Sequence, residues 1–589
     1  MIGTGLQPTF NLVFAGATAL DQRVTFSRTT NATLIGSDGT LQYAPHNLLT
    51  YSEQFDNAVW TVTAATISAN AVSAPNGTQT ADQLVETVGT GTLPRLPIPI
   101  TLEVGKFYSA SVYAKEVSGS SKRYLQVYFN ASFATVPCGA NFDLATGTVT
   151  FSGGIASATV ESAGNGWWRC TINTTVVTSA LSGFRIALVD SPTQSLSLAW
   201  NPDGTGSMYL WGAQLNVGAL QPYYQTEASA YYGPRFDYDP VTLEPKGLLI
   251  EEQRTNLALN SGDVLSGTGG VVVANQITAP DGSLSDFFQE DTSNGEHYAG
   301  DRTPSVTAGT TYTWSFYAKL GLTGEARRVC VRTGGQGPGN VVFDLETGGS
   351  TVLAPVVSSG ISSAGNGWFR CWIVYTATGT GAAVFRQQLA KGTNTVYTGD
   401  GTSGLFFWGA QLEVGAFPTS YIPTTTAAAT RAADVASVTG DNFSNWYNPV
   451  EGTMVAESTL AQYCQAGKFG QCVWQVDDGS ANNRMHVRND ATTTTNTFRS
   501  INVDGVNAQL DLVFTLNAPL KTALAYKVNN FNGASGGSIG TTDTTVNPPA
   551  VNALRLGQEN VGLWLNGHIR SFKYYPRRLS DAKLQSITA

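Results

Sequence analysis

Apolar and polar positions alternate with a period of two along most of this chain, in short runs broken by Gly, Pro and Asn. Arg23-Val24-Thr25-Phe26-Ser27 and Thr40-Leu41-Gln42-Tyr43 flank the turn Gly36-Ser37-Asp38-Gly39. Alternation on both sides of an Asp-Gly turn predicts a β-hairpin, because successive strand residues point to opposite faces and Asp-Gly supplies the turn. Ser162-Ala163-Gly164-Asn165-Gly166-Trp167-Trp168-Arg169-Cys170 has the same design. Its Gly-Asn-Gly predicts positive-φ turn positions, and a strand alternating between two faces follows.

That phrase returns as Ser363-Ala364-Gly365-Asn366-Gly367-Trp368-Phe369-Arg370-Cys371. Its neighbours recur at nearly the same spacing: Ser109–Lys115 with Thr313–Lys319, Asn141–Gly147 with Val342–Gly348, and Trp211–Gly218 with Trp408–Gly415. A period near 200 residues is too long for a solenoid unit, so each copy is a whole domain. The expected fold class is all-β, a string of antiparallel β-sandwiches. Two are jelly-roll repeats, at 48–226 and 256–424, because eight to ten short strands in about 170 residues fit that sandwich. A Thr/Ala-rich linker at 425–434 leads to a third sandwich at 435–589, where Ser580 is the expected N-cap of a closing helix. The pieces 1–47 and 227–255 read as two halves of an N-terminal β module interrupted by the first repeat.

Composition narrows the function classes. Only 13% of the 589 residues are charged, Gly numbers 63, and the formal charge is −9. An acidic chain without a basic patch excludes nucleic acid and anionic membrane surfaces as expected partners. No stretch offers about 18 uninterrupted apolar residues, so membrane insertion is not expected. The N-terminus lacks the basic and apolar regions of a signal peptide, which predicts synthesis in a host bacterial cytoplasm. Cys170 and Cys371 share a repeat position and read as one buried thiol per copy, an interdomain disulfide being the alternative. Cys138, Cys330, Cys464 and Cys472 show no CxxC spacing.

Candidate chemistry is sparse. His46, His297, His486 and His568 have no metal-ligand spacing, which argues against a His-based triad or zinc site. The GxSxG match Gly536–Gly540 has neither the strand nor the helix of a nucleophile elbow around it. Asp237, Asp239, Glu251, Glu252, Asp477 and Asp478 are conspicuous carboxylates, read chiefly as solvated turn and face residues. The aromatic residues Trp168, Phe369, Trp446 and Tyr447, with Asp477 and Asp478, are the glycan-binding candidates, since aromatic faces suit sugar C–H faces. Trp211 and Trp408, set among apolar residues, are expected to be more buried than Trp168 and Phe369. Calcium is the candidate cofactor, with Asp82, Asp286, Asp203 and Asp400 as ligands at repeated positions; ordinary Asx turns are the competing reading.

The segments "VTFSRTTNATLIGSDGTLQ", "PRFDYDPVTLEPKGLLIEEQRTNL" and "NLLTYSEQF" resemble phrases of tailed-bacteriophage virion structural proteins. The repeats resemble carbohydrate-binding modules, and the ending "GHIRSFKYYPRRLSDAKLQSIT" resembles concanavalin A-like, laminin G-type lectin sandwiches. The resemblance implies a virion location and a non-catalytic tail fibre or appendage. It would be homotrimeric, contacting other virion proteins and host surface polysaccharide. A capsid decoration or head-fibre protein is the second expectation. A tailspike depolymerase is the third, disfavoured because no β-helix repeat is visible.

Overall fold

A computed structural model describes residues 7–121, 124–130, 138–155, 157–176, 181–321, 327–337, 339–460, 470–489, 496–503, 506–513, 518–560 and 562–589. Among them the regular elements are antiparallel strands and two short helices, Asp441–Ser444 and Asp581–Thr588. No helix is long and apolar enough to cross a membrane. The chain forms two compact units, one of residues 45–232 and one of residues 1–44 with 233–589.

The first unit is a two-sheet sandwich. Its six-stranded sheet runs Ser157–Gly164, Trp167–Thr175, Phe107–Glu116, Ser207–Val217, Ala81–Glu86, Ala65–Val72. Its five-stranded sheet runs Thr148–Gly153, Cys138–Asp143, Tyr124–Phe129, Leu181–Val189, Arg95–Thr101. Val112, Cys170 and Ile172 of the first sheet, and Leu125, Val127 and Ile186 of the second, are fully buried. The period-two alternation places them so.

The second unit contains the other repeat, built in the same strand order. Its six-stranded sheet runs Ser358–Ser363, Trp368–Thr376, Thr311–Leu320, Gly404–Val414, Leu284–Glu290, Gly270–Thr278. The facing sheet runs Gly349–Ala354, Asn340–Asp344, Arg328–Gly335, Gly381–Ala390, Tyr298–Arg302. The repeated phrases acquire matching structural reasons. Gly164, Asn165 and Gly166 have φ of 80°, 51° and 78°, and Gly365, Asn366 and Gly367 have 80°, 51° and 78°. In the Trp-Gly-Ala-Gln-Leu strands, Gly212 and Gly409 sit at a break in register with positive φ. Asn47 donates to the carbonyls of Ala213 and Tyr224 and accepts from Leu49 and Leu215 N–H, and Asn256 does the same with Ala410, Ile422, Ala258 and Leu412. One amide thus ties the opening of each repeat to its closing strand. Cys170 and Cys371 are free and buried, which removes the disulfide alternative; Cys464 lies outside the described residues.

The closing sandwich differs from expectation. The pieces 1–47 and 227–255 do not form a module of their own. Phe10–Val13 and Pro245–Ile250 both pair with Gly567–Tyr575, and Thr25–Ser27 pairs with Val435–Thr439, so both sheets of this sandwich take strands from the early chain. Burial explains it: Phe10, Leu12, Leu248 and Ile250 are apolar residues of short strands that cannot bury a face alone, and here they join the core around Trp474, Phe572 and Tyr574. Ser580 accepts from Lys583 N–H at 3.3 Å and caps the closing helix.

The 425–434 segment is likewise more than a linker. Ala429–Arg431 pairs with Arg254–Asn256, and the side chains of Arg431 and Asp434 are fully buried. Asp434 Oδ1 accepts from Arg28 Nη1 at 2.8 Å, and its Oδ2 pairs with Arg235. Glu251 takes Arg235 at 2.6 Å and Arg431 at 2.8 Å. These two carboxylates are therefore not solvated; they hold three buried guanidinium groups together.

Candidate functional site

The sequence Asn483-Arg484-Met485-His486-Val487-Arg488-Asn489 is one strand of the closing sandwich, in the sheet Thr25–Ser27, Val435–Thr439, Ala553–Leu556, Gln471–Asp477, Asn483–Asn489, Asn496–Val503, Val506–Val513. Met485 and Val487 point into the core and are fully buried. Alternation then sends Arg484, His486 and Arg488 to the opposite, polar face. Register brings Gln475 level with His486 on one side and with Arg555 on the other, while Asp477 sits opposite Arg484.

A return loop after Ala553–Leu556 lays Glu559 over this row. The loop is fixed by Leu565 N–H donating to Gly557 O at 2.8 Å and Glu559 N–H donating to Leu563 O at 3.0 Å. Glu559 accepts from Arg488 Nη1 at 2.9 Å and Arg484 Nη1 at 3.1 Å, and its Oε1 lies 3.8 Å from His486 Nδ1. Asp477 receives Arg555 through both oxygens, at 2.8 and 3.2 Å. Gln475 donates to Asp477 at 2.8 Å and to Asn560 Oδ1 at 2.9 Å.

The face therefore assembles three guanidinium groups, two carboxylates, an imidazole and two amides. Burial, reinforced by Arg488 and Arg484, holds the His486 imidazole well below its usual range, so it is neutral at neutral pH. The carboxylates are buried, while Arg555, Arg484 and Arg488 keep side-chain exposures of 25%, 15% and 12%. Fixed, planar donors with one formal positive charge in excess suit ligands rich in directional hydroxyl and carboxylate acceptors.

Of the glycan candidates, Asp477 belongs to this face and the others do not. Trp446 is in the core, stacked on Phe10 at 4.3 Å and donating to Asn442 O. Tyr447 stacks on Phe443 at 4.8 Å against the same core. Both read as loop aromatics in sequence; the short helix Asp441–Ser444 turns them inward. Asp478 is exposed and closes an Asx turn onto Ser480 N–H. Trp168 lies against the turn at Gly147, its indole N–H donating to Leu144 O at 2.9 Å, and Phe369 packs near Gly348. Both are partly exposed, whereas Trp211 and Trp408 are buried.

The calcium candidates are occupied by the protein itself. Asp82 accepts from Phe55 and Asn70 N–H, both at 2.8 Å, and Asp286 from Val264 and Asn275 N–H at 2.8 and 3.0 Å. Each carboxylate pins a bulged edge strand at a left-handed Asn. Asp203 and Asp400 close Asx turns onto Thr205 and onto Thr402 and Ser403. No group of three or more potential metal ligands occurs among the described residues. Gly536-Gly537 is the turn of a hairpin between Asn532–Ser535 and Ser538–Ile539, not a nucleophile elbow.

Arg484, Arg488, Arg555 and Glu559 are not singled out by the sequence, and His486 enters there only as a histidine without metal-ligand spacing. The Arg-x-His-x-Arg alternation in a strand was the available signal; Glu559, 71 residues beyond Arg488, carried none.

No family model and no curated protein matches the chain. Among solved structures it is similar to Ruminococcus gnavus IT-sialidase CBM40 bound to alpha2,3 sialyllactose, at 16% identity and TM-score 0.21, over 24% of this chain and 84% of that one. It is also similar to the CBM22-1-CBM22-2 tandem domain of Paenibacillus barcinonensis Xyn10C, at 12% identity and TM-score 0.19, over 64% and 98%. Mouse laminin alpha1 chain domains LG4-5 align at 7% identity and TM-score 0.17, over 56% and 92%. At these scores the likenesses bear on neither ligand nor activity.

Proposed function

We propose that this chain is a structural protein of a tailed-bacteriophage virion, a tail fibre or related appendage, which binds host surface glycans without cleaving them. The polar face of the closing sandwich carries the glycan half of the reading. Arg484, Arg488 and Arg555 are held in place by Glu559 and Asp477 while part of each side chain stays exposed, so their guanidinium groups reach the surface in fixed positions. Both carboxylates are spent on guanidinium groups, which favours gripping over acid–base chemistry. The virion half rests on the phage-like phrases at Val24–Gln42, Asn47–Phe55 and Pro234–Leu257. Trimeric assembly would multiply weak sites through effective concentration.

The test is calorimetric titration of the full chain with purified host surface polysaccharide, beside Arg488→Ala and Glu559→Gln. Saturable binding weakened at least about tenfold in both variants is expected, since each removes a charge-assisted hydrogen bond. Absence of saturable binding would sink the glycan reading. Release of oligosaccharides would replace it with a depolymerase, and localisation of the chain on the capsid lattice would favour the decoration role.

A further inference from the structure

In both repeats the outer face of the six-stranded sheet carries the same aromatic group. Tyr113, Trp211 and Tyr223 have ring centroids 5.2 Å (Tyr113–Trp211), 4.5 Å (Trp211–Tyr223) and 6.0 Å (Tyr113–Tyr223) apart. Tyr317, Trp408 and Tyr421 repeat this at 5.4, 4.6 and 6.2 Å. Gly212 and Gly409 make it possible, because a Cβ there would come within 3.0 Å of Tyr113 and 2.7 Å of Tyr317. A second tryptophan closes each floor: Trp167 donates to Ser73 O at 3.2 Å and Trp368 to Thr278 O at 3.1 Å.

The two faces differ in what lies on them. In the second repeat the hairpin Thr33–Ile35 and Leu41–Tyr43 is seated there. Leu41 packs among Trp368, Phe406, Trp408 and Tyr421, with Ile35 beside it. Leu41 N–H donates to Pro280 O at 2.8 Å, and Thr33 Oγ1 donates to Tyr421 O at 2.5 Å. Tyr317, Phe406 and Tyr421 are thereby reduced to 5%, 8% and 2% exposure. In the first repeat the corresponding cluster is Ala74, Ala81, Trp167 and Trp211 with Val72, Tyr113, Ala163, Tyr209 and Tyr223, and among the described residues it contains no counterpart of Leu41 or Ile35. Tyr113, Tyr209 and Tyr223 are partly exposed. The rim is also more polar: Tyr209 stands for Phe406 and Gln83 for Phe287, while Glu53, in the place of Gly262, is buried and accepts from Tyr223 Oη at 3.1 Å.

We propose that this face of the first repeat docks a β-hairpin of a partner protein. The hairpin presents an aliphatic side chain where Leu41 sits in the second repeat. The second repeat shows the occupant this surface is shaped to receive, and the polar rim suits a partner that meets the face from water, unlike a permanently seated segment.

The probe is a disulfide-cyclised peptide of residues 33–43, titrated into the full chain and followed by tryptophan fluorescence. Saturable binding is expected, at least about tenfold weaker for a Leu41→Asp peptide and for a Tyr209→Asp protein whose far-ultraviolet circular dichroism is unchanged. Tyr209 is a rim position, so its variant separates this face from displacement of the native hairpin on the second repeat. No saturation at millimolar peptide, or equal binding by either variant, overturns the proposal. Quenching of the same tryptophans by cellohexaose in place of the peptide overturns it in favour of a sugar site.

Discussion

Replacing Asp434 by Asn should release the N-terminal strand from the closing sandwich. Asp434 is fully buried and serves three donors: Arg28 at 2.8 Å, Arg235, and the backbone N–H of Glu251 at 3.0 Å. Arg28, Arg235 and Arg431 are as deeply buried, and without Asp434 the carboxylates left are Glu251, paired with Arg235 and Arg431, and Glu413 near Arg431. Burial already lowers the Arg28 guanidinium to about 10, with Asp434 the chief opposing influence. An amide keeps one acceptor but turns its NH2 towards a guanidinium, so the full cost of breaking a buried pair applies, about 3–5 kcal/mol. Because a chain of two compact units need not unfold in one step, the readout is local: amide hydrogen exchange of Thr25–Ser27, the strand that pairs with Val435–Thr439 beside Asp434. At about 1.4 kcal/mol per tenfold, exchange there should quicken by roughly 100-fold or more. Arg28→Met, which removes one of the three cations, should cost less, and the double variant should be less than additive. An Asp434→Asn protein whose Thr25–Ser27 amides exchange within about threefold of the parent would refute the reasoning.

Asp82→Asn and Asp286→Asn should each cost about 1–3 kcal/mol, because one of two buried backbone N–H groups loses its acceptor. Millimolar calcium or EDTA should leave both parental unfolding transitions in place; a calcium-dependent rise would show that a cation displaces those N–H groups. Burial lowers the pKa of His486 and His568 in the fold, so the unfolded chain takes up protons first and stability of the second unit falls as pH drops below about 6.5. Denaturant titrations at pH 7 and 5.5 should show a loss approaching about 1.4 kcal/mol per pH unit from His486, with a smaller one from His568 because Asp237 opposes its shift, and the trend should flatten in His486→Gln. Asp82 has the opposite sign: burial raises it to about 6, so its contribution to the first unit improves on acidification from that value towards the ordinary carboxylate range, and Asp82→Asn should abolish that trend. Trp446→Ala should cost about 3–5 kcal/mol by emptying the core beside Phe10 while leaving polysaccharide affinity unchanged, which calorimetry on the refolded variant checks.

Much of this architecture is written locally. Period-two alternation, Gly-Asn-Gly turns and the duplicated Trp-Gly-Ala-Gln-Leu phrase determine strands, turns and the pairing of the two repeats, because each depends on residues adjacent in the chain. The order of burial among the tryptophans was legible for the same reason, since apolar neighbours mark an inward face. Where a strand ends up is not local. Phe10–Val13 reaches across more than five hundred residues to Gly567–Tyr575, and no short-range pattern encodes that partner. The same holds for charge. Glu251 looks like a surface carboxylate, and Asp434 part of a linker, until the fold brings Arg28, Arg235 and Arg431 around them, and Asp82 and Asp286 look like ligands until backbone N–H groups converge on them. Trp446 and Tyr447 stand in a turn-like stretch, but the packing of Phe10 from the far end of the chain makes Trp446 core, and Tyr447 packs against that core through Phe443. The polar face divides in the same way: alternation alone points Arg484, His486 and Arg488 to one side of a strand, but the return loop that sets Glu559 upon them exists through long-range packing. Sequence determines which side of its own backbone a residue takes; tertiary structure decides what it meets there, because hydrogen bonds and ion pairs depend on distances that only the folded chain sets.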